Sequence, residues 1–206
     1  MGRRRTADLP ELTGLAHIIR EIRYHEFSRQ AIGILLIAAF CLWADPKPET
    51  FWAGAVIAVI GILFRLWASG FVMKNKELAT SGPYSLVRHP LYTGNIIMLI
   101  GYCVANGMVW PWAVGAFFLW VWYPTAISYE DSKLEKIFGD PWRAWSARIP
   151  ALIPRSVVPK FDADTSWSFA KSMKQNWEPV IVVYSIFWLW WLFEQLPTDY
   201  LAQVGL

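Results

Sequence analysis

The sequence predicts an all-α fold, a polytopic membrane helix bundle of about five transmembrane helices. Of the 206 residues, 55% are hydrophobic and only 17% are charged, and a soluble domain of this size cannot bury so large an apolar fraction. The chain also contains 14 Trp residues, a residue that is favoured at the boundary between membrane and water. Both observations indicate that lipid is the solvent for most of the chain.

Several apolar segments approach the length that a helix needs to cross a bilayer, about 17–25 residues. We predict spans at residues 28–44, 51–73, 90–105, 109–129 and 179–196. Pro90 is expected at the first helical position of the third span, and Asn106-Gly107 is expected to form the turn after it. Gly139 is expected to end the helix that extends beyond the fourth span.

The basic residues predict the orientation. With the N-terminus in the cytoplasm, 17 of the 19 Lys and Arg residues fall on the cytoplasmic side, as the positive-inside rule requires. The net charge of +3 is then a topology signal, and no nucleic-acid partner is expected. The segments 74–89 and 130–176 should therefore meet on the cytoplasmic side of an integral, multi-pass membrane protein.

We divide the chain into three regions. Residues 1–30 form an N-terminal basic segment, with an amphipathic helix predicted over 11–29 because its apolar residues recur at helical spacing. Residues 31–154 form the membrane core together with a cytoplasmic cap. Residues 155–206 form a polar linker and one additional transmembrane helix. No oligomeric state follows from the pattern.

Charged residues at the cytoplasmic ends of the spans are the first candidates for a functional site. Arg65 lies within the second span, where a charge requires a partner, a water-filled cavity, or a side chain long enough to reach the interface. Arg88 and His89 lie at a helix N-terminus, which favours anions. They predict a site for a carboxylate or phosphate, with anchoring to lipid headgroups as the alternative.

Two adjacent acids and a Trp-containing segment complete the candidates. Glu130 and Asp131 follow the fourth span and can bind an amine or sulfonium cation, or can simply form a solvated helix turn. No histidine accompanies them at metal-ligand spacing, so no metal site is predicted. Residues 138–154 contain Trp142 and Trp145 and form either a cap over a pocket or a segment lying on the membrane.

Two blocks together resemble a known family. GPYSLVRHPLYTG (82–94) and EDSKLEKIFGDPWRAWSARIPALIP (130–154) are similar to the signature blocks of the isoprenylcysteine carboxyl methyltransferase family, whose wider clan includes the phospholipid N-methyltransferases. The resemblance covers roughly residues 61–154. It implies an integral-membrane enzyme that methylates with S-adenosylmethionine in a cytoplasmic cofactor pocket, with the lipophilic substrate arriving from the bilayer.

The resemblance also implies roles for individual residues. Arg88 and Arg148 match the arginines that face the reacting group, so they are the catalytic candidates. Arg65 and Trp145 are candidates for binding the substrate. Asp131 replaces a Glu of the usual pair, and Trp142 and Trp145 replace Tyr. The candidates for binding the cofactor are Tyr84, His89, Tyr92, Gly94, Glu130 and Asp131.

The predicted function is S-adenosylmethionine-dependent methylation of a lipophilic acceptor in the membrane. An arginine beside the nucleophile favours an anion, such as the carboxylate of isoprenylcysteine, since an amine would need a base instead. Phosphatidylethanolamine-type N-methylation and a thiol or other lipid acceptor remain open. The alternatives from other classes are an NADPH-dependent membrane reductase and a non-enzymatic membrane scaffold.

Overall fold

The structure is a computed structural model that describes residues 13–14, 26–71, 76–163, 165–176 and 178–203. The N-terminal basic segment and most of the amphipathic helix predicted over 11–29 lie outside these residues. The described part of the chain contains helices and no β-strand, and its one isolated β-bridge joins Gly82 to Lys160. The all-α prediction is confirmed for this part of the chain.

The described helices are α1 (Glu26–Leu42), α2 (Pro48–Ser69), α3 (Pro90–Asn106), α4 (Trp110–Phe138), α5 (Asp140–Ser146), α6 (Phe169–Asn176), α7 (Glu178–Phe193) and α8 (Thr198–Gln203), with a short 3-10 turn at Pro83–Ser85. Each of the five predicted spans coincides with one of the long helices. The helix positions are therefore confirmed, with α4 extending well beyond the predicted span.

Membrane crossing is supported most directly for α2. Among the described helices, α2 alone is both long and apolar enough to cross a bilayer, with a mean hydropathy of 2.0 over its most apolar stretch. Arg29–Leu42 and α7 are shorter apolar helices. The number of crossings and the cytoplasmic orientation of the ends stay predictions.

The helix ends follow the sequence signals. Pro90 lies in the first turn of α3, and Gly107 ends that helix with φ of 78°. Gly139 has φ of 59° and lies between α4 and α5. Both glycines adopt the left-handed half of the backbone map, which costs other residues free energy, so the two predicted stops are confirmed.

The centre of the bundle is the pair α2 and α3, which pack backbone to backbone. A Cβ atom added at Gly61 would lie 2.5 Å from the backbone nitrogen of Met98, so a larger residue would force the two helices apart. Small residues at such positions let membrane helices approach closely. Helix α7 is fixed against this pair through Tyr102, whose hydroxyl donates to the carbonyl of Ser185 at 2.6 Å.

Candidate active site

The two signature segments lie side by side. The backbone N–H of Arg88 donates to the carbonyl of Pro150 at 2.8 Å, and that of His89 donates to Ala151 at 3.0 Å. The hydroxyl of Thr93 donates to the carbonyl of Leu152 at 2.8 Å. The loop before α3 is thus bound to residues 147–154 after α5, which we call the strap. The predicted contact between segments 74–89 and 130–176 is confirmed.

His89 lies between the two adjacent acids of α4. Its Nε2 is 2.9 Å from Oδ1 of Asp131, and its Nδ1 is 3.4 Å from Oε2 of Glu130. The His89 ring also stacks on Tyr92, with a centroid separation of 5.6 Å. The acid pair therefore fixes the imidazole from both of its nitrogens.

This arrangement shifts the pKa values of all three groups. Burial alone lowers the pKa of His89, but the hydrogen bonds and charges of Asp131 and Glu130 outweigh it and raise the value above the usual 6.5. Burial raises the pKa values of Glu130 and Asp131, yet the contacts with His89 leave both below their usual range. The cluster therefore favours a protonated imidazole between two carboxylates.

Arg88 holds the same cluster to the strap. Its Nη2 forms an ion pair with Oδ2 of Asp131 at 2.9 Å. Its Nη1 donates to the carbonyl oxygens of Ser146 at 3.1 Å and Ile149 at 3.0 Å. The anion held by the side chains of Arg88 and His89 is thus the carboxylate of Asp131, which belongs to the protein itself.

Arg65 forms a second buried ion pair. Its Nε and Nη2 donate to the two carboxylate oxygens of Glu178 at 3.2 and 2.6 Å. Its Nη1 donates to the carbonyl of Leu91 at 3.3 Å and to the side-chain oxygen of Asn95. The charge within α2 is thus compensated by Glu178, the first residue of α7. Of the alternatives considered for Arg65, the structure shows a charged partner.

Arg65, Glu178 and Arg88 all line one cavity of about 730 Å³. Its charged and aromatic lining residues include Tyr84, His89, Glu130 and Trp145. Its apolar lining residues come from α1, α3, α4 and α7: Ile34, Ile37, Met98, Leu99, Phe118, Val180 and Ile181. A cavity of this size and composition suits a ligand with a polar and an apolar part.

The family of the matched region is decided by comparison with known proteins. Residues 49–141 match the family described as phospholipid methyltransferase. Residues 49–141 belong to this family. The match includes α2, α3, α4 and both acids, so the resemblance read from the two signature blocks is confirmed. Membership supports methyltransferase activity.

Individual relatives extend the comparison. The chain is 28% identical over 161 residues to the cobalt-zinc-cadmium resistance protein CzcN of Cupriavidus metallidurans, covering 74% of this chain and 73% of that protein. It is 31% identical over 131 residues to the nickel-cobalt-cadmium resistance protein NccN of Alcaligenes xylosoxydans xylosoxydans, covering 59% of each.

A third relative carries an enzymatic name. Over 83 residues the chain is 31% identical to a protein-S-isoprenylcysteine O-methyltransferase of Schizosaccharomyces pombe, covering 39% of this chain and 35% of that enzyme. The chain therefore spans about a third of this enzyme and about three fifths of NccN. No solved structure matches significantly.

The structure brings most of the predicted site residues to one cavity. Those that line it are Arg65, Tyr84, Arg88, His89, Tyr92, Glu130 and Trp145. Asp131 is not among the lining residues and instead holds His89 and Arg88. The predicted division of these residues between cofactor and substrate stays a prediction.

Two predicted residues lie elsewhere. Gly94 packs against the stem of Arg65, and a Cβ atom there would lie 2.5 Å from Cγ of that arginine, so this glycine makes room for the ion pair. Arg148 is exposed, does not line the cavity, and donates from Nε to the carbonyl of Ala144 at 3.1 Å. The structure therefore supplies no contact that supports its predicted catalytic role.

Sequence reasoning missed several polar residues that line the cavity, among them Arg29, Asn95 and Glu178. Glu178 was detectable as an acid beside Pro179 at the start of an apolar helix, where a charge also requires an explanation. Arg29 and Asn95 had no comparable signal, because each is a single polar residue near a helix end or face. Among the described residues, no group of three or more His, Cys, Asp or Glu side chains is arranged to hold a metal ion.

Proposed function

We propose that the protein is an S-adenosylmethionine-dependent methyltransferase that acts on a lipophilic, anionic acceptor from the bilayer, of the isoprenylcysteine carboxylate type. The observation that carries the proposal is the cavity itself. Many of its charged and aromatic lining residues come from the two signature segments, and its apolar lining residues come from α1, α3, α4 and α7. One cavity thus offers polar groups for a charged methyl donor and apolar groups for a lipid chain.

The charged and aromatic lining residues fit the donor. S-adenosylmethionine carries a positive sulfonium, and when bound it supplies an activated methyl group. Glu130 offers a carboxylate whose lowered pKa keeps it ionised near neutral pH, although burial opposes this and the contact with His89 provides it. Trp145 has a buried indole N–H without a hydrogen-bond partner among the described residues, and an oxygen or nitrogen of the ligand would satisfy it.

The residues that line the cavity position the two reactants and exclude water from them. A methyl transfer needs the nucleophile and the methyl carbon in line, and alignment of two reactants lowers the barrier by several kcal/mol. Apolar side chains that line the cavity reduce the access of water to a bound ligand. Val180 and Ile181 of α7 and Met98 and Leu99 of α3 are among the apolar residues that line the cavity.

Phospholipid N-methylation is the second candidate, because the matched family is named for it. An amine nucleophile must lose a proton, which requires a base. His89 and the two acids are engaged with one another, so the transfer of that proton would have to disrupt the cluster. An anionic acceptor needs no such step, and this difference favours the carboxylate.

Calorimetric titration of the detergent-purified protein with S-adenosylhomocysteine, beside NADPH, tests the cofactor. Saturable binding of S-adenosylhomocysteine alone is expected. Binding of NADPH alone would replace the proposal by the reductase alternative, and binding of neither to folded protein would favour a membrane scaffold.

The acceptor is then tested with S-adenosylmethionine labelled in its methyl group. Protein in vesicles is supplied either with N-acetyl-S-farnesylcysteine or with phosphatidylethanolamine, and the labelled lipid products are counted. Transfer to the farnesylcysteine is expected, as an ester that alkali hydrolyses. Alkali-stable label in phosphatidylethanolamine would identify the N-methylation alternative.

A further inference from the structure

Arg29 lies in the first turns of α1 and lines the cavity. Only 8% of its surface is exposed. Its guanidinium carbon lies 4.9 Å from the centre of the Tyr92 ring, a distance at which a cation is attracted to an aromatic face. This contact fixes the guanidinium above a residue in the first turn of α3.

The other two arginines of the cavity are neutralised within the protein. Arg65 is paired with Glu178, and Arg88 is paired with Asp131. Arg29 forms no ion pair with any carboxylate whose side chain the structure describes. Glu130 interacts with it electrostatically, but the carboxylate of Glu130 is in contact with His89.

A buried positive charge without an ion-pair partner is costly, and a cation–π contact offsets only part of that cost. An anionic group of a ligand would complete the compensation and would accept hydrogen bonds from the planar guanidinium. Lys133 also lines the cavity, but it is only partly buried, so water already solvates its charge.

We propose that Arg29 is the anion-binding residue of the cavity and receives a carboxylate or phosphate group of a bound ligand. This inference rests on the proposed function in one respect, the source of the anion. That source is either the amino-acid carboxylate of the methyl donor or the anionic group of the lipid acceptor.

The experiment compares each acid with an uncharged counterpart. S-adenosylhomocysteine is paired with 5′-methylthioadenosine, which lacks the amino-acid portion, and N-acetyl-S-farnesylcysteine is paired with its methyl ester. Dissociation constants are measured for the full-length protein and for the variants Arg29→Met and Arg29→Gln. The control is Arg155→Met, which removes an exposed positive charge outside the cavity.

We expect both Arg29 variants to lose about tenfold or more in affinity for one of the two acids, with little change for its uncharged counterpart and no change in the control. A loss confined to S-adenosylhomocysteine assigns the anion to the methyl donor. A loss confined to N-acetyl-S-farnesylcysteine assigns it to the acceptor.

Equal affinity of the wild-type protein and of a folded Arg29 variant for both acids would overturn the inference. It would also fail if the wild-type protein bound neither acid more tightly than its uncharged counterpart. If the wild-type protein binds the farnesylated acid through Arg29 but does not bind S-adenosylhomocysteine, the proposed cofactor is rejected and the role of Arg29 is retained. Unfolding temperatures show which variants are folded, and the two replacements provide independent chances of a folded one.

Discussion

Arg65 and Glu178 form a buried, two-point ion pair that joins α2 to α7. The carboxylate side chain is only 1% exposed and the guanidinium side chain 9%. Arg65 lies inside the region that matches the family, and Glu178 lies 37 residues beyond its last matched residue, 141. The last long helix of the chain is therefore tied to the family core by charge as well as by apolar packing.

Removal of Glu178 should strongly destabilise the protein. Glu178→Gln leaves Arg65 as an uncompensated buried charge, and the loss of one partner of such a pair costs about 3–5 kcal/mol. Thermal unfolding of the purified protein in detergent measures the effect. Glu194→Gln, on an exposed residue just after the same helix, is the matched control and should unfold like the wild type.

The same pair allows a stricter test. Arg65→Met combined with Glu178→Leu removes both charges, and this double variant should be more stable than Glu178→Gln alone. If Glu178→Gln unfolds at the wild-type temperature, the ion pair does not contribute to stability as described.

Asp131 should control the protonation of His89. Asp131→Asn keeps the size of the side chain but removes a negative charge, so the pKa of His89 should fall towards its usual 6.5. NMR titration of isotope-labelled histidine measures this, because the chain contains only three histidines and His89→Gln assigns the signal. An unchanged titration in Asp131→Asn would show that Asp131 does not hold the proton on His89.

Stability should depend on pH in both directions because of this cluster. His89 has a raised pKa in the folded state, so its stabilising contribution is complete below its unfolded value near 6.5 and is lost as the pH rises through the raised value. The pKa values of Glu130 and Asp131 are lowered, so their contribution is present above about 4.5 and is lost as the pH falls.

The optimum of this contribution therefore lies between the ordinary pKa values of Glu130 and His89. The unfolding temperature, measured from acidic to alkaline pH, should fall on both sides of that window. In His89→Gln the decline on the alkaline side should be smaller than in the wild type. An identical alkaline decline in the two proteins would assign it to other groups.

Glu130 should matter more for ligand binding than for folding. It lines the cavity and its side chain keeps 34% of its exposure, so Glu130→Ala should lower the unfolding temperature only slightly, through the loss of its contact with His89. Its affinity for S-adenosylmethionine should fall, because the carboxylate faces the cationic sulfonium of the methyl donor in the proposed arrangement. Lys136→Ala, an exposed position on the same helix, serves as the control. Unchanged affinity would remove Glu130 from the site.

For Arg148, the family resemblance and the observed position of the side chain lead to different expectations. The resemblance predicts that Arg148→Ala lowers turnover and leaves cofactor affinity nearly intact. The exposed position of the side chain supplies no reason for either effect unless the strap moves when the acceptor binds. Turnover at the wild-type rate with an identified acceptor would reject the catalytic role.

Local features of the fold were predictable and distant pairings were not. Pro90, Gly107 and Gly139 mark helix ends through their own backbone preferences, which a sequence displays directly. The partner of Arg65 could not be found in this way, because Glu178 is 113 residues distant and only packing of α7 brings it near. Arg29 was missed for the same reason, since its burial depends on how α1 packs over Tyr92.

The hydrogen bonds between the loop before α3 and the strap after α5 set the size of the smallest autonomous unit. The family match ends at residue 141, yet the backbone donors of Arg88 and His89 find their acceptors at Pro150 and Ala151. A fragment cut at the end of the match would leave those two amides without partners and Arg65 without its counter-ion. An excised domain that preserves this architecture must therefore continue past the strap and through α7, almost to the end of the chain.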